Sequence, residues 1–245
     1  MKTSILLIDD NTDLAENIAE ILEDLGVEVR LAMSADEALA CFDERVWSLV
    51  VTDVRMPGRN GLELLDLLKQ RSPGTPVLVM TGFADRDTVT RAFESGALAI
   101  VDKPLNLDAF VDFVGRVAVA EKPVLIVEDD ISLIENLTDI LGEERGVLPH
   151  PATSLARARQ LATVVDFRVA IIDLRLPDGE GLDLARELRR RPDGSARPVI
   201  IITGHPEQLD SVGDDPDRSS QLTDLIVLTK PFLVPLLLER FREII

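Results

Sequence analysis

Short apolar, β-branched runs alternate along this chain with longer stretches in which apolar residues recur every three or four positions. The first pattern marks buried strands and the second amphipathic helices; their regular alternation predicts βα units around a parallel sheet. In the first half the runs place strands near residues 4–9, 27–31, 48–53, 76–81 and 98–102, and helices near 12–25, 35–44, 60–71, 85–95 and 106–120. The first helix sets Leu14, Ile18, Ile21, Leu22 and Leu25 on one stripe and stops at Gly26. The last carries Phe110, Phe113, Val114 and Val117. The order then repeats, with strands near 123–128, 168–173, 198–203 and 225–229, a weaker one near 147–149, and a closing helix from about Pro235. Pro149 and Pro151 make the weak strand an edge candidate, because proline has no N–H to give to a ladder and is tolerated only where that side is unpaired.

The repeat divides the 245 residues into two expected domains, 1–120 and 121–245. Each has a common domain length. The linker, 118–122, has no Gly/Ser or proline tract, so the expected relative orientations are restricted. One segment breaks the symmetry. Thr203 to Lys230 is longer than Thr81 to Lys103 (230 − 203 = 27 against 103 − 81 = 22). The excess lies within 205–222 and contains Gly213-Asp214-Asp215-Pro216-Asp217. A fourth helix there is expected to be short, displaced or disordered, and its acidic loop solvated.

Composition narrows the classes. A hydrophobic content of 46% supplies two cores, yet no apolar run reaches the ~18 residues of a membrane span. The first strand-like run is too short and too acidic at its end for a secretory signal, and the single cysteine, Cys41, excludes an internal disulfide. A reducing, cytoplasmic setting is expected, with Cys41 as a packed helix residue. A formal net charge of −18 argues against nucleic acid or anionic membrane as direct partners. Arg186, Arg189, Arg190, Arg191 and Arg197 form the main basic cluster, read as a solvated helix end. His150, beside Pro151, reads as an ordinary loop residue, and His205 as a loop histidine.

The strand ends carry the chemistry. In the first half they are Asp9-Asp10, Asp53, Thr81 and Lys103-Pro104; in the second, Glu128-Asp129, Asp173, Thr203 and Lys230-Pro231. Carboxyl ends of parallel strands are where open α/β sheets build sites. Two carboxylates ~4 Å apart at an effective dielectric of ~20 repel by about 4 kcal/mol. A hard divalent cation relieves this, and an oxygen-only donor set without His or Cys selects Mg²⁺, with Mn²⁺ as substitute. The lysine and threonine suit a phosphate, and Asp53 and Asp173 suit the role of oxygen nucleophile in phosphoryl transfer.

As a set, these motifs resemble the receiver domain of bacterial two-component response regulators, twice over. The resemblance covers nearly the whole chain. It implies two flavodoxin-like (βα)5 domains with strand order 2-1-3-4-5. It implies phosphoacceptors at Asp53 and Asp173, and Mg²⁺ held by Asp9, Asp10, Glu128 and Asp129 with the acceptors and the carbonyls of Arg55 and Arg175. Thr81 and Thr203 would be switch hydroxyls, and Lys103 and Lys230 would pair with the phosphoryl group through usually cis Lys-Pro bonds. The donor would be the phosphohistidine of a histidine kinase or phosphotransfer protein, and a second copy of the chain, in a homodimer, is a further expected partner. No output module or separate catalytic module is expected within the 245 residues.

Two departures stand out from the family pattern. The usual aromatic three residues before the lysine is Ile100 or Val227, which cannot make an aromatic rotamer switch. The positions beside the attacking water are Arg55 and Phe83 in one domain and Arg175 and His205 in the other, so unequal phosphate lifetimes are expected. An aspartate-nucleophile phosphatase is disfavoured, since Arg55 and Arg175 stand where it needs a second Asp. A flavin-binding flavodoxin fails because Asp9-Asp10 would repel phosphate unless a metal intervened. A second domain acting mainly as a dimerisation or partner-binding scaffold is the alternative reading.

Overall fold

The computed structural model describes residues 3–190, 195–206 and 225–245. The chain forms two compact units, Met1–Ala120 and Glu121–Ile245. In the first, β1 (Ser4–Ile8), α1 (Thr12–Asp24), β2 (Glu28–Ala32), α2 (Ala35–Phe42), β3 (Leu49–Asp53), α3 (Gly61–Arg71), β4 (Val77–Thr81), α4 (Arg86–Glu94), β5 (Ala99–Asp102) and α5 (Leu107–Ala118) follow one another. All strand pairs are parallel, in the order β2-β1-β3-β4-β5. Every residue of β1, β3 and β4 is buried, as continuous apolar runs require when helices cover both sheet faces. The helices start where short polar side chains cap them: Asn11, Ser34, Asn60, Asp85 and Asn106 each accept a backbone N–H from the first turn. Such a cap is worth about 1 kcal/mol.

The second unit contains β6 (Lys122–Val127), α6 (Ile131–Gly142), β7 (Val147–Ala152), α7 (Leu155–Ala162), β8 (Val169–Asp173), β9 (Arg175–Leu176), β10 (Gly179–Glu180), α8 (Gly181–Arg189), β11 (Val199–Thr203), β12 (Ile226–Thr229) and α9 (Val234–Ile244). Its main sheet runs β12-β11-β8-β6-β7, the same topology as the first. This is the doubly wound α/β architecture that the alternating periods predict.

Several expectations need correction. Leu25 caps α1 and is 59% exposed, so the buried stripe ends at Leu22. β7 extends through Pro149 and Pro151 instead of stopping near 149, because the backbone groups of both prolines face away from β6 and no ladder hydrogen bond is lost. His150 is a buried strand residue, not a loop residue, and its ring meets Phe167 edge-on at 5.5 Å. Arg186, its side chain 18% exposed and paired with Asp183 at 2.9 Å, leaves the solvated cluster, and so does Arg197. Arg197 is buried, donating to the carbonyls of Phe167 (2.7 Å) and Leu188 and to Asp166 (3.0 Å), where it ties the end of α8 to the strand that follows. The turn after β8 forms the two-stranded hairpin β9-β10, which periodicity cannot reveal at two residues per strand. Cys41 is packed in α2 as expected. The acidic loop and most of the fourth-helix segment, with Arg191, lie outside the described residues.

Candidate functional site

Each sheet brings its strand ends to one edge, where the acids and the lysine singled out in the sequence meet. Asp9 follows β1 and is fully buried; Asp53 ends β3 and is buried; Asp10 is exposed. One carboxylate oxygen from each lies within 4.8 Å of the other two. The same holds for Glu128, Asp129 and Asp173, with the same pattern of burial. Local hydrogen bonds fix the buried acids: Asp9 accepts the Asn11 N–H (2.9 Å) and Glu128 the Asp130 N–H (3.2 Å).

A lysine bridges two acids in each cluster. Lys103 Nζ lies 2.7 Å from Asp9 and 3.1 Å from Asp53. Lys230 Nζ lies 2.6 Å from Glu128 and 2.7 Å from Asp173. Both follow the last strand, where the lysine N–H donates to the threonine carbonyl (Lys103 to Thr81, Lys230 to Thr203, 2.7 Å each). Both Lys-Pro bonds are cis. Burial pushes the Asp53 carboxyl above its ordinary range, and the hydrogen bond from Lys103 only partly offsets it. Glu128 is raised for the same reason, against Lys230. The two ammonium groups show the converse. Burial draws them down, but the hydrogen bonds and charges of the paired acids prevail and hold both above the usual lysine value. Each site is therefore a strongly coupled set of charges in which one cation serves two anions.

Thr81 and Thr203 are buried at the ends of β4 and β11. Thr81 Oγ1 accepts the Phe83 N–H and donates to the Phe83 carbonyl (3.1 Å each); Thr203 Oγ1 accepts the His205 N–H at 2.9 Å. The Arg55 guanidinium covers the Phe83 ring at 5.8 Å, and Phe83 is 59% exposed. Arg55 and Arg175 lie two residues beyond Asp53 and Asp173; the Arg175 N–H donates to Asp173 at 3.4 Å. Ile100 packs against the core of the first unit, and Val227 is 40% exposed.

Two structural features, a pair of glycines and a turn aspartate, escape a reading limited to chemical groups. A Cβ on Gly61 would stand 1.9 Å from the Asp53 carbonyl oxygen, and one on Gly181 1.9 Å from that of Asp173. Only glycine lets α3 and α8 start directly behind the acceptor strand, where the N–H of Gly61 donates to Val54 (2.9 Å) and that of Gly181 to Leu174 (2.8 Å). The detectable signal was the equal distance of both glycines from their aspartates. Asp178 in the β9-β10 turn is the other: it accepts the N–H groups of Leu155 and Ala156 at 2.9 Å each, closing the start of α7.

The donor set is oxygen only, clustered and anionic, which fits a hard divalent cation and not a soft one. Among the described residues no helix is long and apolar enough to cross a membrane.

Comparison with known proteins gives one consistent answer. The family model described as response regulator receiver domain matches residues 5–114 and again 124–240. A response regulator receiver protein of Anaeromyxobacter sp. is 38% identical over 81% of this chain and 82% of its own length. The nitrogen assimilation regulatory protein NtrX of Azorhizobium caulinodans is 30% identical over 86% of this chain, but that stretch is only 46% of NtrX. A solved CheY-like receiver domain protein from Methanospirillum hungatei JF-1 aligns with 47% of this chain and 92% of its own, at 30% identity and a TM-score of 0.46.

Proposed function

The chain belongs to the response regulator receiver family of two-component signalling, and from that premise we propose that each of its two domains accepts a phosphoryl group, on Asp53 and on Asp173. The observation that carries this reading is the duplicated cluster in which one lysine ammonium lies within 3.1 Å of two of three converging carboxylates. The donor is a phosphohistidine on a histidine kinase or phosphotransfer protein, met in the cytoplasm. An Asp53 carboxylate oxygen attacks phosphorus in line; the O–P bond forms as the P–N bond breaks, and the imidazole departs with the bonding pair. Lys103 turns from the bare carboxylates to the new equatorial oxygens. Thr81 exchanges its bonds with Phe83 for one to the phosphoryl group. Glu128, Asp173, Thr203 and Lys230 repeat these roles.

Asp9, Asp10 and Asp53, with the carbonyl of Arg55, would hold Mg²⁺ in the first domain; Glu128, Asp129, Asp173 and the carbonyl of Arg175 would do so in the second, with Mn²⁺ as a substitute. When bound, the cation supplies positive charge that offsets both the clustered acids and the transferring group. No further catalytic module is needed for transfer or for later hydrolysis, since both occur within the receiver. Phosphorylation then changes contacts with partners or with a second copy of the chain.

The test is phosphorylation by acetyl phosphate with Mg²⁺ of the parent chain, Asp53→Ala, Asp173→Ala and the double variant. Mass measurement should give up to two phosphates, one, one and none, with scattering recording any dimer. Phosphate retained by the double variant would contradict the assignment. An Asp173→Ala variant as fully phosphorylated as the parent would leave the second domain a scaffold.

A further inference from the structure

The two units treat the outer edge of their sheets in opposite ways. In the first, the Glu28 N–H donates to Thr3 and the Ala32 carbonyl accepts from Asp9. Backbone groups alternate in direction along a strand, so Glu28, Arg30 and Ala32 turn theirs towards β1. Val29 and Leu31 turn their N–H and C=O groups outward, and no partner for them occurs among the described residues. In the second, the Lys122 N–H donates to Gly146 and the Glu128 N–H to Ala152. The outward positions of β7 are therefore Pro149 and Pro151, register for register the counterparts of Val29 and Leu31. Both outward donors that the first edge offers are deleted in the second, which blunts it against another strand.

The open edge also has a shaped surface. A groove of about 420 Å³ runs along it, between Glu16, Glu20 and Glu23 on α1, the edge residues Val29 and Leu31, and Glu37 on α2. The three α1 glutamates recur at helical spacing on one exposed stripe. Among the described residues Arg30 is the one basic group lining the groove, and it neighbours Glu37 and Glu44, so its charge is met from within the chain. A second copy of β2 would set two such acidic walls against each other, and the chain as a whole carries −18. Self-pairing is thus opposed by like charge.

We propose that the β2 edge of the first domain is a docking site for an extended, Lys/Arg-bearing segment of a partner protein, which adds as a strand to Val29 and Leu31 while its basic side chains meet the α1 glutamates. Main-chain pairing would supply affinity and the alternate side chains specificity. Val29 and Leu31 are not among the residues of the carboxylate cluster.

A capped peptide of about eight alternating lysines and valines is the probe. In the full chain it should slow hydrogen exchange at the Val29 and Leu31 amides by about tenfold or more, in a salt-sensitive manner. Val29→Pro should abolish that protection at the Leu31 amide and Leu31→Pro at the Val29 amide, each single variant copying one proline of the β7 edge. Glu16→Lys/Glu20→Lys/Glu23→Lys, on an exposed helix stripe, should weaken binding roughly tenfold or more, and decides the matter if the proline variants fail to fold. The proposal is overturned by unprotected Val29 and Leu31 amides, by equal binding of a glutamate–valine peptide, or by protection that arises from self-association without peptide.

Discussion

At the residue scale, each domain crowds three carboxylates around one ammonium, and that crowding has a measurable cost. Asp53 is buried beside Asp9, and Lys103 already has Asp9 as a closer partner. With divalent cations chelated, Asp53→Asn should raise the unfolding free energy of the first domain by about 1 kcal/mol, because one buried charge disappears while Lys103 keeps a partner. With Mg²⁺ the order should reverse, since ligand binding to the folded state stabilises the parent more. Urea unfolding with and without Mg²⁺ checks both signs; an equal Mg²⁺ response in parent and variant would remove Asp53 from the cation site. The acids, threonines and lysines were legible because they end apolar runs, where a polar residue has no packing role. Arg197 was not legible, because a buried and a solvated arginine look alike in one dimension. Its guanidinium satisfies two carbonyls and Asp166. Arg197→Met should therefore destabilise the second domain by about 2–4 kcal/mol through carbonyls left unpaired, with amide exchange in the first domain unchanged.

At the scale of the elements, position depends on how closely a helix can follow a strand. Gly61 and Gly181 open α3 and α8 against the acceptor carbonyl, where any Cβ would overlap an oxygen. Gly61→Ala should cost the first domain about 3 kcal/mol or more and depress phosphorylation of Asp53 but not of Asp173, as domain-resolved mass measurement would reveal. Asp178 gives the pH prediction. Burial pushes its carboxyl up, but the N–H groups of Ala156 and Leu155 outweigh burial and hold it below the ordinary aspartate range. A depressed folded pKa means stability that is present above the unfolded value of ~3.9 and lost as pH falls through the folded one. Acidification below about pH 4 should loosen the α7 terminus first, and Asp178→Asn should remove that pH response; exchange at Leu155 and Ala156 would show it. Element order was readable from period alone. The β9-β10 hairpin and the full length of β7 were not, since the first is too short to have a period and the second hides its strand character behind prolines on the unpaired side.

At the scale of the whole molecule, the chain repeats one receiver and then varies it, and the variation bears on time more than on chemistry. Among the described residues both clusters hold three acids with the same lysine bridge, which is the basis for proposing transfer in both. The tandem plan was legible because the strand-end residues recur in the same order, which chance does not arrange twice. The surroundings of the acceptors differ. In the first domain an Arg55–Phe83 stack stands beyond the strand ends; in the second the corresponding residues are Arg175 and His205. An aromatic ring held under a guanidinium excludes water, whereas an imidazole can orient it by hydrogen bonding. The phosphate on Asp53 should accordingly outlive that on Asp173, and Phe83→His should shorten the first lifetime by roughly three- to tenfold, equivalent to about 1 kcal/mol in barrier. Phosphate loss followed separately in Asp173→Ala and Asp53→Ala measures each lifetime without assuming that the domains communicate. Equal lifetimes in those two variants would mean that these side chains do not govern water access. Unequal ones would let a single chain pass through a doubly phosphorylated, then a singly phosphorylated, state after one stimulus. That order of decay is a property that neither domain has alone.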